Sequence, residues 1–97
     1  MPAYTCAKAG VNGLTRGLAR DYGKFNIRVN TVVPGWVMTE RQKQLWVTEE
    51  SERAMDREQC LAGRLQPADL ARMVLFLASD DSRMCTAQEF IVDAGWA

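Results

Sequence analysis

The sequence predicts an α/β fold in which two neighbouring strands run parallel. Two stretches of the 97-residue chain have helical periodicity, and two short runs are rich in β-branched or apolar residues. The sequence between those two runs is predicted to be mostly helical. Because a strand, helix, strand order favours a crossover between parallel neighbours, the predicted order is helix, strand, exposed helix, buried helix, strand.

The first helix is predicted from Pro2 to about Tyr22, because apolar residues recur there in steps of three and four. Its proline suits the first turn, and Gly23 suits a left-handed stop. Gly10, Gly13 and Gly17 share one face, although each costs roughly 0.5–1 kcal/mol relative to alanine inside a helix. We expect another backbone to approach that face closely; the alternative is that the glycines are merely tolerated.

The remaining elements follow from local composition. A strand is predicted at Ile27–Val33 and ends in a Pro-Gly turn, while the charged segment from Glu40 to about Arg57 is predicted to be an exposed helix. A second, covered helix begins at Pro67, and a final strand runs over Glu89–Asp93. Two strands with an open edge form an incomplete sheet, so we expect more chain or another copy to complete it.

Composition excludes several functional classes. The chain is 47% hydrophobic and 25% charged, and its longest apolar run, Met73–Ala78, is too short to cross a bilayer. Residues 1–20 lack a signal-peptide pattern, so the cytoplasm is the expected location. Twelve basic residues balance twelve acidic ones, which disfavours nucleic acid as a partner. Basic residues recur every four positions at Arg16, Arg20, Lys24 and Arg28. We therefore interpret this series as a solvent-exposed face rather than a DNA-binding surface.

The chain lacks histidine, which removes Ser-His and Cys-His mechanisms and the usual imidazole metal ligands. Cys6, Cys60 and Cys85 are widely spaced and have no C-x-x-C grouping. This pattern fits reduced thiols better than a disulfide framework or a zinc site. We therefore predict no metal site.

Tyr4 and Lys8 place a phenol and an ammonium one turn apart on the same side of the first helix. A nearby cation and the positive end of a helix both favour the charged phenolate. A phenol in such surroundings can act as an acid or a base near neutral pH. Taken alone, however, such a pair is more often an amphipathic surface feature.

The pair is followed by further motifs at fixed intervals. These are Y-T-C-A-K-A-G-V-N-G-L-T-R-G-L-A, N-I-R-V-N-T-V-V-P-G, Thr39, P-A-D-L-A-R-M-V-L-F-L-A-S-D and F-I-V-D-A-G. Together they resemble the short-chain dehydrogenase/reductase family over nearly the whole chain. The resemblance implies that residues 1–97 are the C-terminal part of one Rossmann-like domain, a doubly wound parallel sheet that is incomplete on its own.

The resemblance also implies roles for individual residues. Tyr4 would be the general acid/base, and Lys8 would assist it and bind the nicotinamide ribose of NAD or NADP. The P-G-x-x-x-T pattern would hold the carboxamide through Pro34, Gly35, Val37 and Thr39. Residues 40–65 would form the variable substrate lid. Four apolar residues in or just before this lid are expected either to line a substrate pocket or to pack in the protein core. They are Trp36, Met38, Leu45 and Trp46.

The sequence departs from the family in several places. It lacks the Gly-rich turn that receives the pyrophosphate, the residue that selects NAD or NADP, and the catalytic serine. Ala87 stands where Thr-Gly is common, and Ala94 stands where Gly-Gly is frequent. Cofactor binding is therefore expected only together with the missing N-terminal part, and the 97 residues alone are expected to be inactive.

The resemblance implies an NAD(P)-dependent oxidoreductase that interconverts a small carbonyl compound and its alcohol. The alternative is a truncated, non-catalytic assembly module. The family usually forms dimers and tetramers, so a homo-oligomer is expected through the helix at residues 2–22 and the helix and strand at residues 67–93. The sequence leaves open the substrate, the choice between NAD and NADP, and the oligomeric state.

Overall fold

The computed structural model describes residues 1–45 and 47–96 and contains the predicted order of helices and strands. The prediction that the helix from Pro67 is covered is wrong, because none of its residues is buried and Leu75 is 71% exposed. Short 3₁₀ turns follow the first and last helices, at Gly23–Phe25 and Asp80–Ser82. The predicted exposed helix is divided in two. The elements are α1 (Pro2–Tyr22), β1 (Thr31–Pro34), α2 (Glu40–Leu45), α3 (Glu49–Glu58), α4 (Pro67–Ala78) and β2 (Glu89–Val92). None of the described helices is both long enough and apolar enough to span a membrane.

The two strands pair directly and run parallel, as predicted. The amide of Thr31 donates to the Gln88 carbonyl at 2.9 Å, and the amide of Gly35 donates to the Val92 carbonyl at 2.9 Å. Both donors and both acceptors are four residues apart in the same direction, which is the register of a parallel pair. This result confirms the α/β class.

The first strand begins later than predicted, at Thr31 rather than Ile27. The preceding residues are held by side-chain hydrogen bonds and by one backbone hydrogen bond, from the Ala87 amide to the Val29 carbonyl at 2.8 Å, rather than by a regular ladder. The Val29 amide donates to Thr86 Oγ1 at 3.1 Å, and the Asn30 side-chain amide donates to the Cys85 carbonyl at 2.9 Å. Strand-like composition therefore extends beyond the segment that adopts strand hydrogen bonding.

The chain forms two compact units. The first comprises Met1–Val32 and Leu75–Phe90, and the second comprises Val33–Val74 and the C-terminal residues from Ile91. The prediction that residues 1–97 belong to one domain stays a prediction.

In the first unit, Arg28 ties the segment after α1 to the end of α4. Its guanidinium donates to the carbonyls of Leu77 at 2.9 Å and Ser79 at 3.3 Å, and to Ser82 Oγ at 3.0 Å. A cation is favourable beside the unpaired carbonyls at a helix C-terminus. The interpretation of the basic series as a solvated face is therefore wrong for Arg28, which is half-buried.

The end of α1 also differs from the prediction. Gly23 has a right-handed φ of −59° and continues into the 3₁₀ turn. The left-handed residue is instead Asn26, at φ 60° and ψ 30°. Asparagine tolerates this conformation because its short polar side chain can form local hydrogen bonds. The left-handed residue that follows α1 and its 3₁₀ turn is therefore an asparagine, three positions after the predicted glycine.

The glycine face of α1 is open in the described part of the chain. An added Cβ at Gly10, Gly13 or Gly17 would meet no atom within 4 Å. The helix buries a different face, which contains Thr15 and Ala19. Thr15 Oγ1 lies 2.6 Å from Thr31 Oγ1 and joins α1 to β1. The expected close approach of a second backbone stays a prediction.

Two alanines adopt left-handed backbone, with φ of 61° at Ala87 and 59° at Ala94. This conformation costs an L-residue roughly 1–2 kcal/mol, whereas glycine adopts it freely at an entropic cost of roughly 0.5–1 kcal/mol. We expect Ala87→Gly to raise the free energy of unfolding of the intact protein by about 0.5–1 kcal/mol. Urea denaturation measures the change.

The matched control is Ala71→Gly, at an exposed position inside α4. It should lower the free energy of unfolding by about 0.5–1 kcal/mol, because glycine gains nothing from right-handed backbone. Equal destabilisation by both substitutions would contradict this account of Ala87.

Candidate functional site

The predicted catalytic pair lies in the first turns of α1. Lys8 Nζ is 5.4 Å from the centroid of the Tyr4 ring, so the two side chains share one side of the helix, as predicted. Tyr4 is 57% exposed, which leaves its hydroxyl accessible to a ligand. An ammonium at this distance is attracted to the ring by about 0.5–1 kcal/mol at an exposed site. The local geometry therefore keeps the phenol and the cation together.

The position of the pair along α1 adds to its electrostatics. The helix is 21 residues long, has a proline at its start and carries no acidic residue in its first turn. The aligned peptide dipoles give this end a partial positive charge, which favours an anion nearby. Tyr4 thus lies beside two sources of positive potential, the ammonium of Lys8 and the helix terminus. This arrangement suits a phenol that exchanges a proton with a bound ligand.

The predicted cofactor-binding stretch lies in the second unit and is anchored at both ends. The Gly35 amide donates to the Val92 carbonyl at 2.9 Å, and the Met38 amide donates to the Leu65 carbonyl at 2.8 Å. Val37 and Leu65 form an isolated parallel bridge. The backbone after β1 is thus fixed by hydrogen bonds on both sides.

Thr39 closes this stretch and precedes α2. Its amide donates to the Val37 carbonyl at 3.0 Å, and its own carbonyl accepts the Lys43 amide at 3.0 Å. Thr39 thereby starts the first helix of the predicted lid. The structure holds Pro34, Gly35, Val37 and Thr39 in one ordered segment, and their role toward a cofactor stays a prediction.

Gly35 is also required by close packing. A Cβ built on Gly35 would lie 2.7 Å from Asp93 Cβ and 2.8 Å from Asp93 Cα. Such distances are shorter than any normal carbon–carbon contact, so a side chain would force the two strand ends apart. In the sequence, a Pro-Gly pair follows one predicted strand and an Asp-Ala-Gly run follows the other. Neither motif by itself indicates that the two segments are in contact.

Of the apolar residues expected either to line a pocket or to pack, one lines a recess and another is buried in the core. Trp36 lines a recess of about 350 Å³ together with Trp96, a residue that the sequence reasoning missed. Met38 is only 5% exposed and packs in the core of the second unit. Trp46 and the side chain of Leu45 lie outside the described part of the chain.

Within the predicted lid, α3 is held by one buried side chain and by ion pairs to the loop that follows it. Met55 is fully buried, and Arg64 Nη2 and Nη1 lie 2.9 Å from carboxylate oxygens of Glu52 and Asp56 respectively. The hydrogen bond to Asp56, and then that to Glu52, raises the pKa of Arg64 despite partial burial, so the guanidinium stays charged. The lid segment therefore includes a helix that is fixed to the following loop.

No cluster of metal-ligating side chains occurs among residues 1–45 and 47–96. Cys6 and Cys60 are exposed free thiols, and Cys85 is a half-buried one. The tyrosine and lysine pair therefore lies in the first unit, and the anchored turn lies in the second unit.

Comparison with known proteins agrees with these motifs. The family model described as enoyl-(acyl carrier protein) reductase matches residues 1–97. D-Xylose 1-dehydrogenase of Caulobacter vibrioides is 53% identical over 93 residues, which are 96% of this chain and 37% of that protein. A probable galactose dehydrogenase of Rhizobium meliloti is 53% identical over 95 residues, which are 98% of this chain and 37% of that protein.

A solved structure gives the same assignment. It is 7α-hydroxysteroid dehydrogenase complexed with NADH and 7-oxo glycochenodeoxycholic acid. It superposes with a TM-score of 0.91 at 34% identity, over 100% of this chain and 38% of that one. The chain thus spans less than two fifths of the length of each of these relatives. On the match of the family model to every residue, the chain belongs to the short-chain dehydrogenase/reductase family.

Proposed function

We propose that the protein carrying this chain is an NAD(P)-dependent oxidoreductase that interconverts an alcohol and a carbonyl compound by hydride transfer. The observation that carries the proposal is the exposed Tyr4 side chain at the positive end of α1, with the Lys8 ammonium 5.4 Å from the centroid of its ring. Family membership supports it. We also propose a cytoplasmic location, as expected from the sequence.

The residues of this chain fit the nicotinamide end of such a cofactor. The turn after β1 is held by hydrogen bonds from the amides of Gly35 and Met38, and the Lys8 ammonium can donate to ribose hydroxyls. The sequence contains no Gly-rich turn for the pyrophosphate. We therefore expect the 97 residues alone to be inactive, and cofactor binding to need additional chain.

The proposed chemistry divides between the cofactor and the protein. Bound nicotinamide supplies the hydride acceptor for oxidation and the hydride donor for reduction. The Tyr4 oxygen takes the hydroxyl proton during oxidation and returns it during reduction. Lys8 would donate hydrogen bonds to the ribose hydroxyls. The turn from Pro34 to Thr39 would orient the carboxamide through backbone groups.

We propose an aldose as the substrate class. Two relatives that are 53% identical are named D-xylose 1-dehydrogenase and probable galactose dehydrogenase. In the proposed oxidation the anomeric carbon loses its hydrogen as hydride to NAD⁺ or NADP⁺. The anomeric hydroxyl loses its proton to Tyr4, and the carbon–oxygen bond becomes the carbonyl of a lactone.

The test is an assay of the intact protein with each of NAD⁺ and NADP⁺ and a panel of D-xylose, D-galactose and 2-butanol. We expect reduced nicotinamide to form fastest with an aldose. Turnover of 2-butanol without turnover of any aldose would overturn the substrate class alone. No turnover with any alcohol would overturn the proposed oxidoreductase.

The open glycine face of α1 favours a second role in assembly, beside catalysis or in place of it. Gly10, Gly13 and Gly17 leave this face smooth enough for close backbone approach. In the other predicted surface, at residues 67–93, Leu75 is 71% exposed and Ile91 is 61% exposed. Sedimentation analysis should therefore show a homo-oligomer. A monomer at all concentrations would contradict this role.

A further inference from the structure

A recess lies where both strands of the sheet reach their carboxyl ends. Its lining residues are Pro34, Gly35, Trp36, Asp93 and Trp96. In parallel α/β sheets, ligands bind outside the carboxyl ends of the strands. The recess also shares Pro34 and Gly35 with the turn that we propose holds the nicotinamide. Its location therefore suits a substrate that reacts with that cofactor.

The C-terminal segment is held in place beside this recess. After β2 the chain reverses through two left-handed residues, Ala94 at φ 59° and Gly95 at φ 74°. The Cys60 amide then donates to the Gly95 carbonyl at 2.9 Å, and Gln59 forms an antiparallel bridge with Trp96. Left-handed backbone at a non-glycine residue costs energy, and such strain often serves a functional geometry. Trp96 is thus positioned rather than part of a loose tail.

The lining chemistry combines aromatic surface with one carboxylate. Trp96 is 42% exposed, and Trp36 is half-buried. Asp93 Oδ1 accepts the Gly95 amide at 2.8 Å, which orients the carboxylate. A carboxylate offers about four acceptor positions, so it retains capacity to accept hydroxyl groups from a ligand. Two tryptophans and an aspartate whose carboxylate is oriented by a hydrogen bond therefore line one small recess.

A neutral sugar ring complements this surface. The carbon-bound hydrogens of a sugar carry slight positive charge and pack favourably on the negative face of an indole. Its hydroxyl groups form strong hydrogen bonds to a carboxylate. A substrate bearing its own carboxylate or phosphate would be repelled by Asp93. The recess of about 350 Å³ is near the lower limit of roughly 300–1,000 Å³ for ligand pockets, which suits a single ring.

We propose that Trp36, Asp93 and Trp96 form the sugar-binding subsite of the protein and select neutral aldoses over sugar acids. This inference rests on the proposed function and adds the residues that determine specificity. The two indoles contact the carbon face of the ring, and Asp93 accepts hydrogen bonds from its hydroxyl groups.

The test compares Trp96→Ala and Trp96→Phe in the intact protein. Losing the aromatic surface should raise the KM for D-xylose or D-galactose about tenfold and leave kcat within about twofold, because the indole binds substrate and transition state alike. Phenylalanine should restore most of the affinity. The KM for 2-butanol, which has no ring, should be unchanged in both variants. Phe25→Ala is the matched control, since Phe25 is 63% exposed and lies in the first unit.

Each outcome decides the proposal. An unchanged KM for aldoses in Trp96→Ala, with aldose oxidation by the wild type, would overturn the subsite but leave the proposed function intact. Equal increases in KM for aldoses and 2-butanol would overturn the sugar-specific role. If the alanine variant fails to fold, Trp96→Leu retains the apolar volume and should show the same loss of aldose affinity. Absence of aldose oxidation by the wild type would overturn the substrate class and this subsite together.

Discussion

Replacing Tyr4 with phenylalanine is expected to lower kcat/KM of the intact protein by about 10²- to 10⁴-fold, the usual contribution of a positioned proton donor or acceptor. The substitution removes one hydroxyl and retains the ring beside Lys8. Because Tyr4 is 57% exposed, the fold should be unaffected. Initial rates of nicotinamide reduction measure the loss, and circular dichroism checks the fold.

Tyr22→Phe is the matched control for this change. Tyr22 ends the same helix and is 44% exposed, but it lies about five turns from Tyr4. Its removal should leave kcat/KM within about twofold, as expected of a surface hydroxyl far from the chemistry. Near-wild-type activity of Tyr4→Phe would show that the phenol does not exchange the proton.

Replacing Gly35 with alanine should lower the free energy of unfolding by about 1–3 kcal/mol, the usual cost of overpacking. The added Cβ would lie 2.7 Å from Asp93 Cβ and 2.8 Å from Asp93 Cα. Since one of these atoms is backbone, rotation of a side chain cannot relieve the clash. Urea denaturation of the intact protein measures the change.

Gly23→Ala controls for the general effect of losing a glycine. Gly23 has φ −59°, and an added Cβ there would meet no atom within 4 Å. This substitution should be neutral or should stabilise by about 0.4–1 kcal/mol, because alanine restricts the unfolded chain. If Gly35→Ala were as well tolerated as Gly23→Ala, the close approach of the two strand ends would be wrong.

Much of the local structure could be predicted because it depends on neighbouring residues. The apolar spacing from Pro2 to Tyr22 predicts α1 correctly, and the proline and acidic residue at its start predict α4. The crossover order predicts the parallel pairing of β1 and β2. Likewise, the spacing of Tyr4 and Lys8 fixes their shared side, since helical geometry alone decides it.

Features that depend on distant residues could not be predicted in this way. Arg28 was assigned to a surface series because its acceptors, which include the Leu77 and Ser79 carbonyls, are about fifty positions away in the sequence. The steric need for Gly35 depends on Asp93, and the position of Trp96 depends on two left-handed residues before it. Local patterns contain no information about such pairings.

The most direct test of the central claim is a crystal structure of the intact protein with nicotinamide cofactor and an aldose bound. We predict that the Tyr4 hydroxyl lies about 2.6–3.2 Å from the reacting substrate oxygen, within hydrogen-bond reach. The Lys8 ammonium should contact the nicotinamide ribose. A complex in which substrate and nicotinamide bind away from Tyr4, leaving its hydroxyl in solvent, would contradict the account.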